Sequence, residues 1–132
     1  MKIAIGSDDL KTIRRGHFGE SKYFMVFDIR NGKRVAEEVR ENPFLVKSDA
    51  DGHHHGEAKN IMKFLNDCHI FIARSMGMHS IPKLVQKGVQ PLITKIRDIE
   101  QVLETFIAGN TEAFLCFNPQ TNKFEICKER LA

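Results

Sequence analysis

Residues 23–34 of the chain read YFMVFDIRNGKR, and this stretch decides the fold class. Residues 23–27 are apolar on both faces of an extended chain, which is typical of a central strand covered on two sides. Asn31 and Gly32 both tolerate positive φ and therefore predict a tight hairpin turn. Residues 33–40 are more polar and predict the returning antiparallel strand, at the edge of the sheet.

The flanking segments extend this hairpin into a larger sheet. Residues 2–6 predict a first strand, so the first three strands form a meander. Helical and extended patterns then alternate through residues 58–65, 69–73, 80–88, 89–94 and 98–109. A meander followed by right-handed crossovers makes the first, third, fourth and fifth strands parallel. We therefore predict an α/β domain with a five-stranded mixed sheet flanked by helices, and a core that includes Phe24, Val26, Ile61, Ile70, Ile72 and Val102.

The remaining tail, residues 110–132, predicts a β-hairpin that extends the domain formed by residues 1–109. A turn at residues 118–122 would set Cys116 opposite Phe124, which leaves Cys127 on the other face. The two cysteines are therefore poor candidates for a disulfide.

Composition limits the class of protein. The 132 residues suffice for one core, with 42% hydrophobic and 28% charged residues. The net charge of +3 would help to hold an anionic ligand but gives no basic stripe for nucleic acid. No stretch reaches the ~20 apolar residues of a membrane span, and the first residues do not resemble a signal peptide. Three cysteines without Cys-x-x-Cys spacing indicate reduced thiols in the cytoplasm.

Five of the six histidines fall in loops that the predicted topology brings to one edge of the sheet. This edge, at the carboxyl ends of the parallel strands, is where open α/β sheets bind ligands. The loops span residues 7–21, 42–56, 74–80 and 94–97. Three of the histidines directly precede the first helix, where free backbone amides favour an anion. Because imidazole binds transition metals well, we expect metal ligation by His17, His53, His54 and His55.

Other roles remain open for each of these side chains. The three adjacent histidines could form a solvated loop, and His17 could cap a turn. His79 is a weaker ligand candidate, and His69 at the start of a buried strand is expected to be a core histidine. Arg14 could hold an anion, although exposed solvated charge is the preferred interpretation.

Four short motifs in this order resemble the dinitrogenase iron–molybdenum cofactor biosynthesis family. They are HFGES at residues 17–21, ENP at residues 41–43, HHG at residues 54–56 and ARSMG at residues 73–77. The resemblance covers about residues 1–109. It implies a three-layer ribonuclease H-like fold and the binding of an iron–sulfur cluster or an iron–molybdenum cofactor precursor. It also implies cofactor contacts at the motif positions His17, Phe18, Gly19, Ser21, Asn42, Gly56, Arg74 and Gly77.

Three classes of function are compatible with these features. The preferred one is a cytoplasmic carrier that binds an anionic metal cluster, or a single transition-metal ion, and delivers it to a protein partner without turnover. The second is a metal-dependent enzyme, nuclease-like by analogy of fold, which would need carboxylates near two metals. The third is a partner-binding module without a metal.

Overall fold

The computed structural model describes residues 1–45 and 57–128 of the chain. Seven strands form one mixed sheet, and three helices pack against it. The strands are β1 (Lys2–Ser7), β2 (Tyr23–Arg30), β3 (Lys33–Glu41), β4 (Ile70–Ala73), β5 (Gln90–Ile93), β6 (Leu115–Asn118) and β7 (Lys123–Ile126). The helices are α1 (Glu57–Phe64), α2 (Ile81–Gln86) and α3 (Ile99–Ile107), with 3-10 turns at Phe18–Glu20 and Thr111–Ala113.

The sheet has the strand order β3-β2-β1-β4-β5-β6-β7. Neighbours in the β1-β2-β3 meander are antiparallel, whereas β4 pairs parallel to β1 and β5 pairs parallel to β4. The first, third, fourth and fifth strands therefore point the same way, as the sequence predicted. Their carboxyl ends share one edge of the sheet, which we call the carboxyl edge.

The predicted α/β class is confirmed, but the prediction of five strands was wrong. The C-terminal hairpin continues the sheet, because β6 pairs antiparallel with β5 through Leu92↔Cys116 and Ile93↔Leu115. An uncovered β5 would expose a row of unpaired amides and carbonyls, and the hairpin satisfies part of that row. The tail is thus part of the sheet rather than an appendage to it.

Local turn chemistry explains where the elements end. Asn31 and Gly32 have φ of 52° and 71°, which confirms the predicted hairpin turn between β2 and β3. Asp98 caps α3, because its side chain accepts a hydrogen bond from the Gln101 amide. Ser80 directly precedes α2, but its side chain makes no capping hydrogen bond, because its backbone is already helical.

The core lies on both faces of the sheet. On one face, Ile3 and Ile5 of β1 pack in a cluster with the apolar side of α3. On the other face, Ala4 joins a cluster that contains residues of α1 and α2. This alternation follows from the two-residue period of a strand. The six core residues predicted from the sequence are all buried: Phe24, Val26, Ile61, Ile70, Ile72 and Val102.

The prediction that Cys116 and Cys127 do not pair was also wrong. The structure has a disulfide between them, with 5.1 Å between the Cα atoms. Asn118 pairs with Lys123, so the turn is one residue shorter than expected and Cys116 lies opposite Glu125. A shift of one residue moves every side chain of a strand to the other face, which brings Cys127 to the same face as Cys116.

Within the described ranges 1–45 and 57–128, no helix is long and apolar enough to cross a membrane.

Candidate functional site

Two chain segments meet at the carboxyl edge. His17 forms an isolated parallel bridge with Ser75, which follows the end of β4. The loop after β1 therefore lies alongside the loop after β4, as the predicted topology required. The loop after β1 holds the motif HFGES, and we call residues 17–21 the His17 turn.

Short hydrogen bonds shape the His17 turn. The Glu20 amide donates to the His17 carbonyl at 3.2 Å, and the Ser21 amide donates to the Phe18 carbonyl at 3.2 Å. The buried Ser21 hydroxyl donates to the same Phe18 carbonyl at 2.7 Å. A Cβ on Gly6 of β1 would lie 2.1 Å from the Ser21 oxygen, so only glycine allows this close approach.

Asn42 connects the His17 turn to the end of β3. Its side-chain amide donates to the carbonyls of Gly19 at 3.0 Å and Ser21 at 2.8 Å, and its oxygen accepts from the Phe44 amide at 2.9 Å. The residue is 8% exposed. Because both amide hydrogens and the side-chain oxygen form hydrogen bonds, Asn42 fixes the position of the His17 turn.

An apolar cavity of about 270 Å³ opens beside the turn. The ring of buried Phe18 stacks on Phe71 of β4, with 4.7 Å between the ring centroids, and forms part of the cavity wall. The complete lining consists of His17, Phe18, Gly19, Glu20, Ile61, Met62, Phe71, Met76, Gly77, His79, Ser80 and Leu84. Two imidazoles, two thioethers and one carboxylate are thus the groups in this lining that can bind a metal.

The predicted site residues fall into four groups. The cavity is lined by His17, Phe18, Gly19 and Gly77, whereas Ser21 and Asn42 support the turn behind it. Arg74 is half-buried after β4 and is not in the lining. The remaining predicted positions, His53, His54, His55 and Gly56, lie outside the described residues.

Sequence reasoning missed part of the lining. Glu20 lies within the recognised motif HFGES but was given no role of its own. Met62 lies in the predicted first helix, and a helical pattern alone does not show that its thioether reaches a cavity. His79 was a weaker ligand candidate, and the folded loop 74–80 brings both His79 and Met76 to the lining.

The acidic side chains of the loop after β1 are engaged within the loop. The Asp9 carboxylate accepts hydrogen bonds from the amides of Thr12 and Lys11, which hold its pKa well below the usual range. Asp8 forms an ion pair with Arg14 at 2.5 Å and accepts from the Lys22 amide. Arg14, which the sequence assigned to solvated charge, is therefore paired within the loop.

Among the residues that the structure describes, no three His, Cys, Asp or Glu side chains are grouped closely enough to hold a metal ion. His17 and His79 are the two histidines that this part of the chain brings to the cavity, and both are exposed.

His69 lies elsewhere, and the expectation that it is a core residue was wrong. Strand β4 begins at Ile70, so the His69 side chain is exposed just before it. Its Nδ1 accepts a hydrogen bond from the Lys2 amide at 3.3 Å. The first residue of β1 and the residue before β4 thus meet at the edge opposite the cavity.

Comparisons with solved structures show similar folds. One crystal structure, of the protein PH0822, is 27% identical, with a TM-score of 0.66 over 96% of this chain and 94% of that one. A candidate dinitrogenase from Methanocaldococcus jannaschii is 22% identical, with a TM-score of 0.60 over 83% and 89%. The apo form of the orange protein from Desulfovibrio gigas is 15% identical, with a TM-score of 0.64 over 99% and 96%.

The sequence matches no curated protein. It does match a family model, described as dinitrogenase iron-molybdenum cofactor, over residues 1–109. This match covers all four motifs quoted from the sequence. The chain therefore belongs to the dinitrogenase iron–molybdenum cofactor family.

Proposed function

We propose that the protein is a cytoplasmic carrier that binds an anionic metal–sulfur cluster at the carboxyl edge and releases it to a protein partner without chemical turnover. The observation that carries this proposal is the position of His17. Its backbone bridge to Ser75 holds it beside an apolar cavity, and its imidazole is exposed. An exposed imidazole on a fixed backbone can bind a metal without a large rearrangement of the fold.

The donor groups of the lining fit a cluster of soft metals. Imidazole and thioether bind such metals well and suit magnesium or calcium poorly. A volume of about 270 Å³ accommodates a cargo of several atoms rather than one bare ion. The cargo is an iron–sulfur cluster or an iron–molybdenum cofactor precursor, as the family suggests.

We assign the remaining ligands to His54 and His55, with His53 as an alternative. His55 is two residues before Glu57, the first residue of α1, and both Ile61 and Met62 of that helix line the cavity. The chain length between these positions is short enough for the histidines to reach the same cavity. Gly56 and Arg74 would then contact the cargo from the loops before α1 and after β4.

The strand order β3-β2-β1-β4-β5, with helices on both faces, also supports assigning the domain to the ribonuclease H-like folds. That assignment gives no reason to prefer an enzyme. A two-metal site needs several free carboxylates. Asp8 and Asp9 are held by Arg14 and by backbone amides, and the other two candidates, Asp49 and Asp51, lie outside the described residues. The carrier is therefore the function that the site supports best.

Anaerobic reconstitution with iron and sulfide tests the proposal. Replacing His17, His54 and His55 together with alanine is expected to abolish cluster uptake, measured by visible absorption and by metal and sulfide analysis. The free energy of unfolding should change by no more than about 1 kcal/mol, because loop imidazoles contribute little to the core. Undiminished uptake in this variant would remove the histidines from the site. A wild-type protein that takes up no cluster or metal would contradict the carrier function.

A further inference from the structure

Few residue pairs join the C-terminal hairpin to the rest of the sheet. Only two residue pairs, Leu92↔Cys116 and Ile93↔Leu115, join β6 to β5, whereas six pairs join β1 to β2. The disulfide between Cys116 and Cys127 closes the hairpin across eleven residues of sequence. The covalent bond therefore joins Cys127, after β7, to β6, and only the two residue pairs join β6 to β5.

The contacts around the disulfide connect the hairpin to the core. Cys127 is 3% exposed and belongs to the cluster on the α3 face, together with Phe114 and Phe106. The Cys127 amide donates to the Phe114 carbonyl at 3.1 Å, and the Thr94 hydroxyl donates to the Ala113 carbonyl at 2.9 Å. If the sulfur–sulfur bond is broken, these few contacts and the short ladder alone hold the hairpin.

Cys116 is the less buried residue of the pair. It is half-buried, and its sulfur accepts a hydrogen bond from the exposed Gln90 side chain at 3.6 Å. Cys127 is 3% exposed, so Cys116 is the better target for an attacking thiolate. In the cytoplasm, where the proposed function places the protein, disulfides are usually transient or redox-sensing ones.

We propose that Cys116–Cys127 is a reversible redox site whose substrate is a dithiol reductant, and that its state controls the attachment of the hairpin to β5. A thiolate of the reductant attacks Cys116, and the Cys127 thiolate leaves and takes a proton. The second thiol of the reductant then displaces Cys116, which also takes a proton. The protein gains two electrons and two protons, and the reductant becomes a disulfide. The hairpin does not line the cavity, so this proposal is independent of cluster binding.

Reduction should accelerate local opening of the hairpin. Closing a loop of this length by a disulfide disfavours the open state by a factor on the order of a hundred. Amide hydrogen exchange in residues 114–128 should therefore become about a hundredfold faster in the reduced protein. Amides of β1 and β4, in the centre of the sheet, should exchange at an unchanged rate.

Hydrogen exchange followed by mass spectrometry tests this in the presence and absence of dithiothreitol. The oxidised wild type should show slow exchange in the hairpin, and reduction should accelerate it until glutathione disulfide restores the slow rate. The double variant C116S/C127S should exchange at the fast rate under both conditions. The variant C68S removes the cysteine outside the pair and should behave like the wild type.

Counting free thiols shows whether the disulfide forms and whether it can be reduced in the folded protein. Air-oxidised protein should show one thiol after denaturation without reductant, and the dithiothreitol-treated folded protein should show three. Three thiols in the air-oxidised protein would mean that the pair does not form a disulfide, and one thiol after treatment would mean that it is not reducible in the fold. A hairpin that exchanges at the same rate in both states would equally overturn the proposal.

Discussion

The His17 turn and the loop of residues 67–69 hold their histidines in opposite ways. Backbone amides and the neutral side chains of Ser21 and Asn42 fix the turn, and the imidazole of His17 is exposed beside the cavity. Charged groups fix the second loop. Arg40 donates to both carboxylate oxygens of Asp67, at 2.8 and 2.6 Å, and Lys2 donates to the same carboxylate at 3.1 Å.

Both loops are held in place, but they differ in the groups that they leave available to a ligand. Around Asp67 the positive charges of Arg40 and Lys2 are balanced by the carboxylates of Asp67 and Glu38, so the loop offers little to an anionic ligand. Burial raises the pKa of the neighbouring Cys68 thiol to about 12, which keeps that thiol unreactive. At the His17 turn the side chains of Ser21 and Asn42 give neutral support, Arg14 reaches the Glu20 carboxylate at 3.5 Å, and His17 lines the cavity.

The largest expected effect is on cluster binding, when one histidine at a time is replaced by alanine. His17→Ala should weaken binding of the cluster by about a hundredfold, equivalent to about 2.7 kcal/mol, because it removes a proposed ligand. His69→Ala is the matched control, since this exposed histidine lies before β4 and away from the cavity. Competition titration with a chelator under anaerobic conditions measures both. Equal losses in the two variants would show that the cavity is not the binding site.

Removing the Asn42 side chain, which supports the His17 turn, should have a smaller effect. This effect is on the stability of the protein. Asn42→Ala leaves the carbonyls of Gly19 and Ser21 without their donor, which should cost about 2 kcal/mol of unfolding free energy. Asn110→Ala is a suitable control, because Asn110 is exposed and its side chain makes no capping bond. Urea denaturation measures both variants. A loss below that of the control would show that the turn does not depend on Asn42.

The smallest effect is expected at the charged loop, and it depends on pH. The hydrogen bond from Arg40 holds the pKa of Asp67 below its ordinary value of 3.8. The stabilisation is therefore present above that value and is lost as pH falls through the lowered pKa. Asp67→Asn should cost about 1 kcal/mol at neutral pH, because the pair is partly exposed, and almost nothing in strong acid.

Thermal unfolding of the wild type and the Asp67→Asn variant, from neutral pH to strong acid, measures how the difference in their stability depends on pH. The gap between the two melting temperatures should narrow as the solution becomes acidic. A gap that is constant with pH would show that the variant acts through packing rather than through the carboxylate charge.

Much of the fold could be predicted from local sequence. Asn31-Gly32 determined the hairpin turn, and the alternation of strand and helix patterns determined the parallel direction of β1, β3, β4 and β5. These predictions rest on interactions between residues close in sequence. The cysteine pairing failed because it depended on the length of one turn, where a single residue decides which face each side chain takes.

The candidate site, like the fold, could be predicted from the sequence only in part. The sequence by itself determined that loops rich in histidine follow the strands of an α/β sheet, because chain direction alone brings those loops to one edge. Only the tertiary structure decided that Asn42 and Ser21 support the turn, that Met62 and His79 reach the cavity, and that the tail joins β5. Those outcomes depend on contacts between residues far apart in the chain, whose distances no local pattern specifies.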